Sequence, residues 1–397
     1  MAWMEIPGAT RLINLSLALL SISLFTWGIG EGMFIYFQPI YLQQLGASTM
    51  VIAGVVSAFG ASMMIAHIPA GLLADRIGRK PLLVAAWTAG VLSAFAMALA
   101  RTLPLFIVGY LFYGLTAFVA APLNSYLTAA SGKFSPVRAM TLASAAYNLG
   151  AVVGPVTGGW IGNHTGLRIV YFVSGGLFIV STVILLFLRA QPRERRDPEA
   201  PPASLLTNTR FISFLGIAFL AVFVMYLPQP LTPNFLQDVR HLSLESIGLL
   251  GSAGSLGNAV LNLVLGQFAA RTGFLLAQVC VGLFSLLIWK GTGVPWYALG
   301  YFVLGGFRAS RSLIYAQVRP IIHTAQMGLA YGVAETFNSL AVVLAPLLAG
   351  VLYTRNPVWV FPVSLGLGGI ALVVSAIFSP HDGAAAVPPA IVRSSEG

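Results

Sequence analysis

The chain reads as an all-α membrane protein of about twelve transmembrane helices, arranged as two pseudo-symmetric six-helix bundles. Three observations carry that reading. Only 8% of the 397 residues are charged, against roughly 25% in an ordinary soluble domain, while 57% are hydrophobic and the mean hydropathy is +0.86. About twelve stretches are apolar over the ~20 residues that a bilayer span needs. The second half of the chain also repeats landmarks of the first in the same order. This composition excludes a soluble enzyme, a disordered chain and a coiled coil.

The spans fall at 12–42, 48–74, 81–100, 103–130, 138–162 and 167–189, then at 209–237, 244–269, 273–290, 294–318, 326–354 and 357–379. The first apolar stretch runs past Phe37, too long for a signal-peptide core, and reads as a retained helix. Residues 1–189 make the first bundle and 209–379 the second. Between them, 190–208 carries Pro192-Arg193-Glu194-Arg195-Arg196-Asp197-Pro198 and Pro201-Pro202, the composition of a solvated tether. The tail, 380–397, is rich in Ala, Pro and Ser and reads as disordered.

The charges that exist are lopsided: 21 Lys and Arg against 11 Asp and Glu give +10. Placing the N-terminus in the cytoplasm puts fourteen of the 21 cations on that side. Five, namely Arg101, Arg168, Arg240, Lys290 and Arg355, go to the other side, and Arg308 and Arg311 fall inside a span. The positive-inside rule then makes both termini cytoplasmic, so the basic excess sets orientation and is no nucleic-acid surface. A bacterial cytoplasmic membrane fits this pattern. The one cysteine, Cys280, permits no internal disulfide, and no metal or cofactor motif is present.

The internal repeat is specific. Pro39-Ile40-Tyr41-Leu42-Gln43 matches Pro233-Asn234-Phe235-Leu236-Gln237, 194 residues later. Gly71, Arg76 and Gly78 match Gly266, Arg271 and Gly273 at 195. Gly109-Tyr110 and Gly114 match Gly300-Tyr301 and Gly305 at 191, as Pro155 and Gly159 match Pro346 and Gly350. Parallel six-span repeats place a binding site between the halves near the midplane, with transport by rocking.

Two motifs refine this. Gly71-Leu72-Leu73-Ala74-Asp75-Arg76-Ile77-Gly78-Arg79-Lys80 lies between spans 2 and 3, and Gly150-Ala151-Val152-Val153-Gly154-Pro155-Val156-Thr157-Gly158-Gly159 lies in span 5. The first resembles the signature loop of the major facilitator superfamily; the second resembles the antiporter motif of its drug:proton exporters, the multidrug efflux branch. The resemblance covers nearly the whole chain. It implies a cytoplasmic gate of Gly71, Asp75, Arg76, Gly78 and Arg79, with Asp75 meeting a facing helix N-terminus, here span 11. Arg79 and Lys80 read equally as orientation charges. The second-half copy has Ala270 where Asp75 would be, so one half supplies this latch.

Gly150, Gly154 and Gly158 share one face of span 5, and Gly248, Gly251, Gly254 and Gly257 form a stripe on span 8. Small residues let helices approach closely in lipid. These stripes, with Pro155, are expected to close an outer gate between spans 5 and 8. Gly54, Ser57 and Gly60 of span 2 are expected to meet Ala345 and Ala349 of span 11.

Ionisable groups inside a membrane are costly and mark function or pairing. Five stand out: Glu31, His67, Arg308, Arg311 and Glu335. Glu31 sits in Trp27-Gly28-Ile29-Gly30-Glu31-Gly32-Met33, where apolar surroundings favour a carboxyl that carries a proton or faces a cationic substrate. Arg308 and Arg311 share a helix face and could bind an anion, or Glu335 could pair with one of them. His67 is a proton relay or a satisfied polar contact. Spans 1, 4, 7 and 10 line the cavity in the resembled family. That adds Tyr36, Tyr110, Tyr113, Tyr226 and Tyr301 as cavity aromatics, with Phe34 and Phe37. Asn124, Asn148, Gln229 and Asn338 are further polar candidates. Proton-coupled exporters of the family carry an Arg in span 4 where this chain has Tyr110, which moves any proton coupling to Glu31, His67 or Glu335.

The expected function is secondary active transport: proton-coupled export of small amphipathic compounds by alternating access, in a monomer, with protons as coupling ion and the bilayer as its surroundings. One alternative is uptake or exchange of an organic anion held by Arg308 and Arg311. Another is a membrane receptor or scaffold that transports nothing. No Walker lysine loop, zinc-type spacing or nucleophile elbow is present, so enzyme chemistry is not expected.

Overall fold

The computed structural model describes residues 9–131, 135–190, 208–322 and 327–380, without the side chains of 9–14, 67–77, 121, 136–137 and 327–329. The linker and tail expectations therefore lie almost wholly outside the described residues. The first half holds α1 (Ala9–Ile35), a short α2 (Gln38–Gln44), α3 (Thr49–Ile77), α4 (Arg79–Leu99), α5 (Leu103–Leu115), α6 (Ala120–Ala129), α7 (Pro136–Thr165) and α8 (Leu167–Leu186). The second holds α9 (Thr209–Tyr226), a short α10 (Thr232–Asp238), α11 (Leu244–Leu265), α12 (Ala270–Lys290), α13 (Val294–Leu304), α14 (Gly306–Val318), α15 (Met327–Arg355) and α16 (Val360–Phe378).

Eleven of the described stretches are long and apolar enough to cross a membrane. The twelfth expected span, 294–318, is divided at Gly305 into α13 and α14. Its counterpart in the first half is interrupted too, because a 3₁₀ turn, Thr116–Val119, separates α5 from α6 just after Gly114. The two breaks fall at matched positions of the repeat. Hydropathy hides the first, since apolar residues continue after Thr116 through Phe118 and Val119 into α6.

Connections between spans are short and rely on glycine where the chain reverses. Gly78 alone joins α3 to α4 with φ +99°, and Gly166 joins α7 to α8 with φ +90°. Both conformations strain any residue that carries a Cβ. The expectation for Gly78 as a turn residue therefore has a direct backbone cause.

Cations at the helix ends do more than set orientation. On the side where α1 begins and α16 ends (the termini side), the Lys80 ammonium donates to the Leu186 carbonyl at 2.9 Å, and the Arg271 guanidinium donates to the Ala376 carbonyl. Lys80 and Arg271 are the second residues of α4 and α12, and each ties its helix to the last helix of its own half. This corrects the repeat at one point: Arg271 is the structural counterpart of Lys80, not of Arg76. The offset changes because α11 ends at Leu265 while α3 continues to Ile77. On the far side, Arg168 donates to Ala98 O at 2.8 Å and Arg240 to Trp289 O at 2.5 Å. Each of these cations sits where carbonyls at a helix C-terminus lack partners and the helix dipole is negative.

The halves meet along the far side. There α3 packs on α15, α7 on α11, and α2 on α10. Side-chain hydrogen bonds between described residues of the two halves all lie in this region. Gln43 Nε2 donates to Asp238 Oδ2 at 2.9 Å, and Asn234 Nδ2 donates to Pro39 O at 3.2 Å and to Gln43 Oε1. Deeper in, Ser57 Oγ donates to Val343 O at 2.7 Å and Ser252 Oγ to Val152 O at 2.6 Å.

Candidate functional site

A cavity of about 350 Å³ lies in the first half, next to the break in its fourth span. Among the described residues, the only charged side chain on its wall is Glu31. Around it stand Trp27, Trp87, Tyr113, Tyr147 and Phe59, with Thr116 and Ala117 contributed by the 3₁₀ turn. Trp27 is held by stacking on Phe178 at 3.9 Å between centroids, with Trp87 5.1 Å away. Trp87 in turn donates its indole N–H to Ser181 Oγ at 2.9 Å. The aromatic wall is thus anchored to the helices behind it.

Glu31 accepts a hydrogen bond from the Tyr147 hydroxyl at 2.8 Å. A glycine seam places the two residues together. The backbones of α1 and α7 approach so closely that a Cβ on Gly28 would stand 2.2 Å from Tyr147 O, and one on Gly150 2.1 Å from Phe25 O. Tyr147 escaped sequence reasoning, although a signal existed. It lies three residues before Gly150, on the face of the Gly150, Gly154 and Gly158 stripe.

Arg308 and Arg311 of the second half are placed unlike one another. Arg308 follows the Gly305 break, is exposed, and among the described residues its guanidinium has no hydrogen-bond or ion-pair partner. Next to it in sequence, Phe307 stacks on Tyr226 at 5.7 Å between centroids. Arg311 is different. Its guanidinium pairs with Glu335, with Nε at 2.8 Å from Oε2, and Tyr315 donates to the same carboxylate. Of the two arginines, therefore, only Arg308 is left available to a ligand.

Broken spans at matched positions of two repeats, next to polar and charged side chains, are the usual setting of a transporter's binding site. Comparison with known proteins agrees. A family model of the Major Facilitator Superfamily matches residues 20–307 and, overlapping, 214–394. The chain belongs to the Major Facilitator Superfamily. It is similar to multidrug resistance protein 1 of Bacillus subtilis, with 23% identity, covering 91% of this chain and 96% of the relative. It is also similar to the quinolone resistance protein NorA of Staphylococcus aureus, with 22% identity, covering 91% and 96%. The fold is that of the nucleoside transporter NupG, solved as a point mutant, with TM-score 0.79 and 15% identity, covering 92% of this chain and 100% of that one. As a Major Facilitator Superfamily member the chain is an integral membrane transporter for small molecules, not an enzyme.

The remaining superfamily-style expectations distribute as follows. Tyr113 lines the cavity, whereas Tyr110 is buried and stacks on Phe59 at 4.3 Å. Tyr36 and Tyr301 face one another across the halves at 6.1 Å, and Tyr36 lies 3.5 Å from Ser255 Oγ. Phe34 and Phe37 are fully buried in the core of the first half instead of facing the cavity. Asn124 lines the cavity. Asn148 bonds a carbonyl of its own helix, Gln229 bonds the Met225 carbonyl at the end of α9, and Asn338 is buried with its amide unpartnered among the described residues. The side chains of His67, Gly71, Asp75 and Arg76 lie outside the described residues. Arg79 is half-buried at the start of α4.

The glycine stripes sit differently from expectation. Gly150, Gly154 and Gly158 face α1, where a Cβ on Gly158 would stand 2.0 Å from Met33 O. It is Val152, Pro155 and Gly159, on a neighbouring face of α7, that meet α11. The α11 stripe is itself divided: Gly248 packs on Pro155 and Gly159, Gly251 on Tyr36 and Pro155, Gly254 beside Tyr36 and Tyr301, and Gly257 on Phe302 of α13. A Cβ on Gly54 would meet nothing within 4 Å, while Gly60 lies against Val342 and Val343. Ala345 and Ala349 are fully buried.

Proposed function

We propose that the chain is a proton-coupled exporter of small amphipathic compounds, in a bacterial cytoplasmic membrane with both termini cytoplasmic. The observation that carries this reading is Glu31: one carboxyl, bonded to Tyr147, in an aromatic-walled cavity at the break of the fourth span. A proton and a cationic substrate compete for such a group, so binding one releases the other. A proton moving down 100 mV supplies about 2.3 kcal/mol, which sustains a substrate gradient. Aromatic faces favour an apolar or cationic body by about 0.5–2 kcal/mol each. With the termini cytoplasmic, the far-side contact closes the molecule to the outside, in keeping with substrate loading from the cell. The efflux proteins named above support export without deciding the substrate.

The test is pH-gradient-driven flux of a fluorescent amphipathic cation in proteoliposomes. Glu31→Gln is expected to abolish gradient-driven flux while equilibrative exchange persists. Undiminished gradient-driven flux would refute the assignment of the proton site. Tyr147→Phe is expected to lower the flux about tenfold, the effect of losing a hydrogen bond to a charged group. Tyr110→Phe, whose ring makes no bond to Glu31, serves as the comparison, and equal losses in the two variants argue against a role for Tyr147. An organic-anion reading finds support at Arg308 alone, because Arg311 is occupied by Glu335.

A further inference from the structure

We infer that substrate enters the Glu31 cavity between α6 and α7, where Asn124 and Ser144 select cations that also carry a neutral hydrogen-bonding group. The inference rests on the transport reading and deepens it. Among the described residues that line the cavity, Asn124 and Ser144 alone are exposed, and the rest are buried or half-buried. These two therefore mark where the cavity opens. Ser144 stands three residues before Tyr147 on α7, about 4.5 Å of helix toward the termini side, and Tyr147 holds Glu31. A polar group at this mouth is thus about one helical turn beyond an amine seated on the carboxylate. The Asn124 amide makes no hydrogen bond among the described residues, and only its backbone carbonyl accepts, from Thr128. Ser144 Oγ accepts from the Asn148 amide at 3.3 Å, which leaves its O–H to donate.

The repeat supplies a closed version of the same mouth. At the offset of 191 residues that relates Gly114 to Gly305 and Pro155 to Pro346, Ala120, Asn124 and Ser144 correspond to Arg311, Tyr315 and Glu335. In the second half these three are bonded to one another across α14 and α15. In the first half no charge stands at the same three positions, and two of them line the cavity instead. A charged ligand group there would give up its water for a neutral amide and hydroxyl. A neutral carbonyl or amide exchanges one hydrogen bond for another at little cost. The apolar body of such a cation lies between its two polar ends, against Trp27, Trp87 and Tyr113.

The experiment uses the full chain in lipid nanodiscs and two isosteric cations, (4-acetamidobenzyl)trimethylammonium and (4-isobutylbenzyl)trimethylammonium. Quenching of tryptophan fluorescence reports binding, because Trp27 and Trp87 line the cavity. Asn124→Leu is expected to lower the affinity for the acetamide, relative to the isobutyl compound, by about 2- to 12-fold, the worth of one neutral hydrogen bond. Ala120→Arg with Asn124→Tyr and Ser144→Glu copies the second half's trio into the first. It is expected to slow association of both probes about tenfold, because the new pair must open first. Labelling gives a measure that does not depend on that variant folding. In a Cys280→Ser background, Ser144→Cys is expected to react with N-ethylmaleimide, and the acetamide probe to slow the reaction several-fold. An affinity ratio unmoved by Asn124→Leu, association unslowed in a folded triple variant, or labelling indifferent to saturating probe overturns the inference. The expected effects without pH-driven flux of either probe uphold the mouth and sink the transport reading. Flux without those effects does the reverse, and binding of neither probe overturns both.

Discussion

Replacing both inter-half serines, Ser57→Ala with Ser252→Ala, is expected to open the far side of the transporter. Each hydroxyl donates to a carbonyl of the opposite half, at 2.7 Å to Val343 and 2.6 Å to Val152. These carbonyls are available for a reason. Pro346 and Pro155 stand inside α15 and α7, three residues further on. A helical proline lacks its N–H and crowds the carbonyl before it, so the carbonyls of the preceding turn tilt outward. A buried hydrogen bond contributes about 0.5–1.5 kcal/mol net, so losing two moves the open-to-closed ratio by about 5- to 150-fold. Distances between spin labels at Asn163 and Lys290, both exposed on the far side, are expected to lengthen in the variant. An unchanged distribution would show that the serines hold nothing shut.

Glycine substitutions on the two sides of α7 separate gating from folding. A Cβ on Gly248 would stand 2.3 Å from Pro155 O in the other half, so Gly248→Ala is expected to act as the serine variant does. A Cβ on Gly158 would strike α1 of its own half, and one on Gly154 would stand 2.4 Å from Ile29 O. Substitution there is expected to lower the melting temperature of the first bundle, because backbone cannot yield as a side chain can. The same labels and a thermal melt distinguish the two outcomes.

The second large effect concerns Arg311 and Glu335. Arg311→Ala is expected to destabilise the second bundle by about 1–3 kcal/mol, between the limits for exposed and buried pairs. The side chain of Arg311 is 54% exposed while that of Glu335 is 19% exposed. Removing the arginine therefore leaves the more buried partner, a carboxylate, with Tyr315 alone. Arg311→Ala with Glu335→Ala is expected to recover part of the loss, since no orphaned charge remains. If the single and double variants melt alike, the pair is not structural and Arg311 returns as a ligand group.

The sequence made the spans legible because hydropathy is a local property that needs no partner. It made the repeat legible for a similar reason: Pro155 and Pro346 or Gly114 and Gly305 mark matched positions wherever the helices go. What it did not reveal was which neighbour each face would meet. Gly150, Gly154 and Gly158 share a face by arithmetic, but only packing decides that the face belongs to α1. Tyr147 was missed on that account, because its role depends on α1 lying against that face. Glu31 stood out from rarity alone. Arg308 and Arg311 looked equivalent at a spacing of three residues, and only the path of α15 assigned Glu335 to the second.

The paired serine bonds at the proline kinks have a consequence for how the two halves are held together. Ser57 and Ser252 are repeat counterparts, and so are Val152 and Val343, so the two bonds are one bond written twice about a pseudo-twofold axis. The contacts of α3 with α15 and of α7 with α11 are related in the same way. That is the isologous logic of a symmetric homodimer, in which one surface carries both the donor patch and its receptor. Each half presents to the other the same two faces, its second span and its fifth, so the far side is held shut twice by one kind of contact.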